Sequence, residues 1–278
     1  MRSTQPHTFP RAVGGVIALA LVLVWSLSPI LWILSTSFKT KVDAFAIPPK
    51  IISFAPTLEN YTALFAQYEF LRYITNSLVF GIGSTVIALA LGTMAAYSLS
   101  RLQFSRKDDV QFWILSLRMM PPVAVLVPFF VLWTSLKVID SYLPLLFMYT
   151  LASLPLCIWI MKSFFDDLPA AIEEAAVLDG CGEFRAFWDI ALPLARPGLL
   201  AAGVLSLLQA WNEFLFALVL TGSATRTAAV SISQFITPVG TKWGEITAAS
   251  TLVMLPPLVF MLLMQRHLVR GLVTGAVK

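Results

Sequence analysis

Few side chains in this 278-residue sequence can do chemistry. His7 and His267 lie near opposite ends, which leaves no metal-ligand spacing. Cys157 sits in an apolar run and Cys181 in a polar loop, so a disulfide framework is not expected. No Gly-rich Lys loop that cradles phosphate is present, and no Gly-x-Ser-x-Gly elbow. If the chain works with a nucleotide, another chain must bind it. What remains is a handful of polar groups set in apolar sequence. Arg118 and Glu213 interrupt such runs. A charge at mid-bilayer costs about 2.5–3.5 kcal/mol on insertion scales, which makes each a functional hypothesis. Arg118 precedes 18 uncharged residues, 119–136, so it can also snorkel to an interface. Glu213 follows Trp211 and Asn212. An aromatic face beside hydrogen-bonding side chains suits a sugar, and the same residues suit a helix–helix hydrogen bond. Asn76 is a further candidate to face a pathway.

These groups must be positioned by membrane helices. The chain is 58% hydrophobic and 12% charged, against about half and about a quarter in soluble domains. Its mean hydropathy is +0.81. An ordinary soluble enzyme and a disordered protein are excluded. So is a nucleic-acid binder, because 19 basic residues against 15 acidic ones form no basic run. A bilayer core of about 30 Å needs roughly 20 helical residues, and six runs qualify: 12–38, 73–100, 110–136, 141–161, 197–224 and 246–265. The first run is too long for the apolar core of a signal peptide and lacks its small-residue cleavage pattern, so a retained helix is expected. The second is rich in Gly, Ala and Ser, which lets helices approach closely in lipid. Pro121-Pro122 and Pro256-Pro257 predict kinks, because each proline removes an intrahelical hydrogen bond. Six spans put both termini on one side. With the termini inside, the inner segments hold eleven basic residues and the outer ones seven, a modest positive-inside bias.

Two connections are too long for turns. The outer segment 39–72 carries Pro48-Pro49 and 57–61, and is expected to pack on the external face. The inner segment 162–197 holds seven acids and three bases. Asp166, Asp167 and Pro169 read as helix-start signals, and Glu173 and Glu174 suit the positive end of the helix dipole. Leu168, Ile172, Ala175 and Ala176 share a face at helical spacing. Gly180 supplies the left-handed residue that ends such a helix. A second short helix through 183–188 then leads by Pro193 and Pro197 into the fifth span, with Asp179 a candidate cap for it. The product is an inner two-helix elbow. Interfacial amphipathic helices carry basic polar faces, whereas this one is acidic, so a protein partner fits better than lipid headgroups.

Glu174-Ala175-Ala176, then Gly180, then nine residues to Ile190-x-Leu192-Pro193, resembles the inner-loop signature of binding-protein-dependent ABC importer permeases. The chain is similar to the shorter permease of carbohydrate importers of the maltose and glycerol-3-phosphate type. Asn60-Tyr61, Pro121-Pro122, Pro169, Asp179-Gly180, Trp211-Asn212-Glu213 and the tail Gly271-Leu-Val-Thr-Gly-Ala-Val277 support the match, and Cys181-Gly182 departs mildly from it. The resemblance implies an all-α polytopic fold of six transmembrane helices, the type I importer permease fold, with residues 1–278 as one permease domain in a bacterial inner membrane. It implies a non-catalytic subunit that binds no cofactor, ATP and Mg²⁺ being held by two partner ATP-binding subunits. A second permease, an extracytoplasmic sugar-binding protein and membrane lipid complete the expected surroundings. In the family the elbow is a coupling helix docked in a groove of the ATPase. On that pattern Glu174 offers a carboxylate, Ala175 and Ala176 let the helix seat, and Gly180 allows the turn. The tail after Arg270 is expected between the ATPase subunits. A disaccharide or oligosaccharide is the expected cargo. An ion-coupled secondary transporter or channel would need carboxylates within the spans, where only Glu213 qualifies. An intramembrane enzyme would need a His, Ser or Asp constellation, and none is visible.

Overall fold

The computed structural model describes residues 9–238 and 240–276, with side chains described for 14–238 and 240–262. The helices are α1 (Phe9–Ser37), α2 (Lys41–Ala44), α3 (Glu59–Gln67), α4 (Phe70–Arg101), α5 (Lys107–Ser116), α6 (Pro122–Ser135), α7 (Tyr142–Asp167) and α8 (Ala170–Leu178). They continue as α9 (Glu183–Ala186), α10 (Leu192–Leu194), α11 (Arg196–Trp211), α12 (Leu215–Leu220), α13 (Ala228–Ser231) and α14 (Trp243–Ala276). Between them a two-residue hairpin pairs β1 (Ile236–Thr237) with β2 (Gly240–Thr241), Ile236 opposite Thr241. The all-α expectation holds. The side chains of the tail expected between ATPase subunits, and that of His267, lie outside the described ones.

Four described helices are long and apolar enough to cross a membrane: Gly14–Ser37, Phe70–Arg101, Tyr142–Asp167 and Trp243–Leu262. Two bent pairs complete six when each is taken as one span: Lys107–Met119 with Pro122–Ser135 at 90°, and Glu183–Leu194 with Arg196–Trp211 at 73°. The third predicted run, 110–136, is therefore broken rather than kinked. A residue preceding proline is pushed out of the α region. Met120 accordingly takes ψ 125° before Pro121, and Pro121 takes ψ 127° before Pro122. Two extended residues in a row turn the chain, and Pro122 starts α6 at a position where its missing N–H is no loss. Pro256 and Pro257, by contrast, lie within continuous α14. The predicted fifth run is also interrupted: helix stops at Trp211 and resumes as the six residues of α12.

The described chain forms two compact units, one of residues up to Glu69 with Gln234–Leu252, the other of Phe70–Ser233 with the chain from Val253 onward. In the first, the side chains of 14–32 on α1 are all exposed, and a helix apolar on every side and uncovered by protein calls for lipid around it. Its end is held by Asn60, whose side-chain N–H groups donate to the carbonyls of Ser37 (2.8 Å) and Lys39 (2.9 Å), and by a 2.7 Å hydrogen bond between the Ser37 and Tyr61 hydroxyls. Lys39 is 2% exposed. Its ammonium lies over the Trp32 and Phe54 rings at 4.7 and 5.2 Å, a cation–π setting.

In the second unit α4 packs along α7 and α11. The buried face of α4 is mostly small: Ser77, Gly81, Ser84, Ala88, Gly92 and Ala96 recur every three to four residues. This is the close approach predicted from composition, and it reaches its limit at Gly92, where an added Cβ would lie 2.8 Å from Cys157 Cβ on α7. One face of the unit is clamped by two polar side chains. The Asp140 carboxylate accepts from the backbone N–H groups of Gly222 (2.7 Å), Ala224 (3.0 Å) and Thr225 (3.0 Å) and from the Thr225 hydroxyl (2.7 Å). Asn76, 2% exposed, donates to the carbonyls of Ala224 (3.3 Å) and Arg226 (3.0 Å) and accepts from the Tyr142 hydroxyl (2.7 Å). Together they fasten the segment after α12 to α4 and α7.

Candidate docking site and cavity

The acidic loop folds as an elbow, with several residues placed otherwise than expected. Asp166 and Asp167 end α7 rather than start α8. The Lys162–Asp166 pair (2.6 Å, four residues apart) and the Ser100 hydroxyl donating to Asp166 (2.6 Å) carry α7 six residues beyond its predicted end. Leu168, which precedes Pro169, turns extended at ψ 128° and stops the helix. α8 then runs to a left-handed stop. Gly180 has φ +90°, its N–H donates to the Val177 carbonyl (3.0 Å), and the Cys181 N–H donates to the Ala176 carbonyl (2.9 Å). That pair of bonds is the Schellman closure, and it satisfies carbonyls the helix would otherwise leave bare. Asp179 is the C-cap residue of α8, while Gly182 stands at the N-cap of the second helix without a side-chain bond, so Asp179 does not cap α9.

The two glutamates of α8 have opposite fates. Glu173 is 8% exposed. Its carboxylate accepts from Arg101 Nε (3.0 Å) and Nη2 (2.7 Å) on one oxygen and from the Tyr97 hydroxyl (2.7 Å) on the other. Arg101 Nη2 also donates to the Leu168 carbonyl (3.1 Å). Glu174 faces solvent. This pairing turns α8 away from the predicted apolar face. Leu168, Glu173 and Ala176 point inward, while Ile172 and Ala175 are exposed, Ile172 at 44%. Leu178 (88%), Phe184 (75%) and Trp188 (48%) are exposed in the same loop, the last two with their rings 6.2 Å apart edge to face. Large bare apolar side chains in a loop that also exposes Glu174, Asp179 and Glu183 are what an interaction surface carries. Ile190, Leu192 and Pro193 do not stand on that surface as freely. They are half-buried, Ile190 in the π-helical turn Phe187–Ala191 and Leu192 against the core that includes Phe165, Phe187 and Ala191.

In the sequence Glu173 and Glu174 stand as two equal partners of the helix dipole. The available signal was Arg101, the cation that closes an uncharged run of 28 residues, with Tyr97 one turn before it.

A cavity of about 450 Å³ opens at the break between α5 and α6, lined among others by Arg118, Phe129, Met148, Pro155, Gln209 and Phe216. The size is that of a small-ligand pocket, and interrupted helices tolerate irregular backbone where it lines a cavity. Arg118 is exposed at this cavity. The other polar candidates are engaged. Trp211, 5% exposed, donates its indole N–H to the Val253 carbonyl (3.1 Å). Asn212 is exposed and donates to the Leu208 carbonyl (2.8 Å). The Glu213 carboxylate accepts the N–H groups of Phe216 (2.9 Å) and Ala217 (3.2 Å), taking up donors left bare where α12 begins. Asn76 is engaged in the clamp described above. Of the two readings of the Trp-Asn-Glu trio, the hydrogen bonds present here are those of a helix break and a helix–helix contact, since each buried donor and acceptor needs a partner.

Known proteins match this architecture. The family model of the binding-protein-dependent transport system inner membrane component matches residues 88–274. The trehalose transport system permease protein SugB of Mycobacterium tuberculosis is 36% identical over 278 aligned residues, covering 96% of this chain and 98% of that one. The sulfoquinovosyl glycerol transport system permease protein SmoH of Agrobacterium fabrum is 34% identical, covering 94% of this chain and 92% of its own. Among solved structures, a chain of a bacterial ABC transporter involved in import of the acidic polysaccharide alginate superposes with a TM-score of 0.78 at 19% identity, over 95% of this chain and 99% of that one. With its four long apolar helices, two bent pairs and two-helix elbow, the chain belongs to the family of binding-protein-dependent transport system inner membrane components.

Proposed function

We propose that this chain is one permease of an ATP-driven sugar importer. It forms half of the translocation pathway as a single permease domain and couples ATP hydrolysis on a partner to alternating access. Two ATP-binding subunits hold ATP and Mg²⁺, this chain holding no cofactor. A second permease and an extracytoplasmic sugar-binding protein complete the assembly, and both termini are cytoplasmic, in keeping with the lysine and arginine bias. The observation that carries the reading is the elbow. It leaves Glu174 and Ala175 of the signature exposed, together with the large apolar side chains of Ile172, Leu178, Phe184 and Trp188 in the same loop. A disaccharide or oligosaccharide is the cargo, supported by relatives described as trehalose and sulfoquinovosyl glycerol transport permeases. The cavity beside Arg118 and Gln209 is this chain's share of the pathway. The ion-coupled alternative loses its support, because the carboxylate of Glu213 is engaged at the start of α12.

Gly180→Asp tests the docking role. At φ +90° a side chain is strained by about 1–2 kcal/mol, and the new carboxylate adds charge beside Asp179. The variant is expected to hydrolyse ATP without transport, or to lose its ATPase partners at docking. Co-purification of the ATPase subunits and sugar uptake into vesicles measure the two outcomes, and normal uptake sinks the role. Uptake that persists on an ion gradient with the ATPase disabled sinks the importer reading itself.

A further inference from the structure

We propose that Arg101, Glu173 and Tyr97 form the strut that passes movement of the docking helix α8 into the spans. They act as positioning residues for coupling and not as docking contacts. The inference rests on the docking role proposed above and goes beyond it by naming how force leaves the elbow.

The geometry joins three elements at one point. Arg101 is the last residue of α4, and it grips Glu173 with two N–H groups while its Nη2 also holds the Leu168 carbonyl, the hinge between α7 and α8. Tyr97, one turn earlier on α4, donates to the other Glu173 oxygen. Its ring packs against Phe165 of α7 at 5.4 Å and against Phe187, just beyond α9, at 4.8 Å. Ser100, between them, donates to Asp166 at the end of α7. The last turn of α4 thus touches the end of α7, the helix that meets the partner, and the second half of the elbow.

Burial decides that this contact is mechanical rather than ornamental. The Arg101 and Glu173 side chains are 17% and 10% exposed, unlike the Arg185–Asp189 pair on the elbow surface at 78% and 60%. Exposed pairs contribute little and rearrange freely. A buried pair whose polar atoms are all engaged resists separation, because removing one partner strands the other charge. A pull on α8 therefore moves the end of α4 instead of being absorbed in the loop. α4 in turn carries the small-residue stripe against α7 and α11, so the displacement reaches the helices that line the cavity.

The test uses the full transporter, with both permeases, the ATPase subunits and the binding protein, reconstituted in vesicles. Glu173→Gln and Arg101→Met are read as sugar imported per ATP hydrolysed, beside co-purification of the ATPase. The expected result is an assembled, hydrolysing complex whose import per ATP falls at least about fivefold, the low end of ordinary coupling free energies. The exchange of charges, Arg101→Glu with Glu173→Arg, is expected to recover part of that loss. A purely structural role would lower the yield of complex without changing the ratio in what survives. An unchanged ratio in assembled Glu173→Gln and Arg101→Met overturns the proposal. If both singles lose the ATPase, Tyr97→Phe decides, since it keeps the ring and removes only the hydroxyl. A fall of about two- to tenfold supports the strut, and an unchanged ratio overturns it. Glu174→Arg separates the two ideas. Unimpaired docking and import in that variant count against the docking role, whereas the strut variants are judged only on complexes that retain their ATPase.

Discussion

Gly92→Val is expected to leave little folded chain in the membrane fraction. At position 92 the first side-chain carbon would already lie 2.8 Å from Cys157 Cβ and 3.5 Å from the Ile158 backbone nitrogen. Neither is the end of a flexible side chain, so α4 and α7 must move apart. In a bilayer, helices are held by close packing rather than by exclusion of water. Overpacking costs about 1–3 kcal/mol and occasionally more, and at a Cβ-to-Cβ and backbone contact between two spans the upper part of that range applies. Separation would also strain the 3.1 Å hydrogen bond between Cys157 and Ser206 that ties α7 to α11. Yield after detergent extraction and the midpoint of thermal unfolding measure the effect. Gly92→Ala should be milder and should regain part of its loss in a Cys157→Gly background, because the double variant restores space at the crossing. A Gly92→Val protein as stable as the parent would show that the α4–α7 contact is not close-packed.

Asp140→Ala is expected to be strongly destabilising. Its carboxylate serves three backbone N–H groups and the Thr225 hydroxyl. Each buried donor left without a partner costs about 1–3 kcal/mol. Asp140 is only half-buried, so water can replace part of the set, and a net loss of about 2–4 kcal/mol is expected from the same range. Asp140→Asn keeps one acceptor oxygen and should lose about half as much. The clamp also has a pH signature. Burial pushes the Asp140 carboxyl upward, but the Thr225 hydroxyl and the N–H groups of Ala224, Gly222 and Thr225 outweigh it and hold the group below the usual carboxylate range. A depressed pKa in the folded state stabilises at pH values above the unfolded pKa, and that stability is lost as pH falls through the folded value. Thermal unfolding in detergent should therefore show an acid-side loss below about pH 4 that shrinks in Asp140→Ala. An acid limb of equal size in both proteins would show that the clamp does not titrate in that window.

The parts legible in the sequence were those set by composition and local spacing. Apolar runs near 20 residues locate the spans, and the small residues of α4 announce its close packing. The left-handed position of Gly180 follows from a glycine at the end of a helical pattern. What was not legible depends on residues far apart in the chain. Nothing near Glu173 distinguishes it from Glu174, since the distinction is made by Arg101, more than seventy positions earlier. The same holds for Asn76, whose partners are Tyr142 and the carbonyls of Ala224 and Arg226, and for Trp211, taken by Val253. Pro121-Pro122 breaks the span rather than kinking it because two successive pre-proline residues each demand extended backbone. Asp166 and Asp167 carry two opposed local signals, since acids favour a helix start while a lysine four residues before Asp166 favours continuation, and the second prevails.

Neighbouring residues on a helix point about 100° apart. Glu173 faces inward and Glu174 outward on a helix of nine residues, fixed by Pro169 before it and the Gly180 turn after it. Deleting one residue between Pro169 and Glu173 would bring Glu174 to the inward place and Glu173 to an exposed one, and adding one there would turn both acids to exposed places and leave Arg101 without its carboxylate. The interval between Pro169 and Gly180 therefore works as a measured spacer. Its composition can vary at the exposed positions, but its length cannot drift without changing which side chains the elbow exposes.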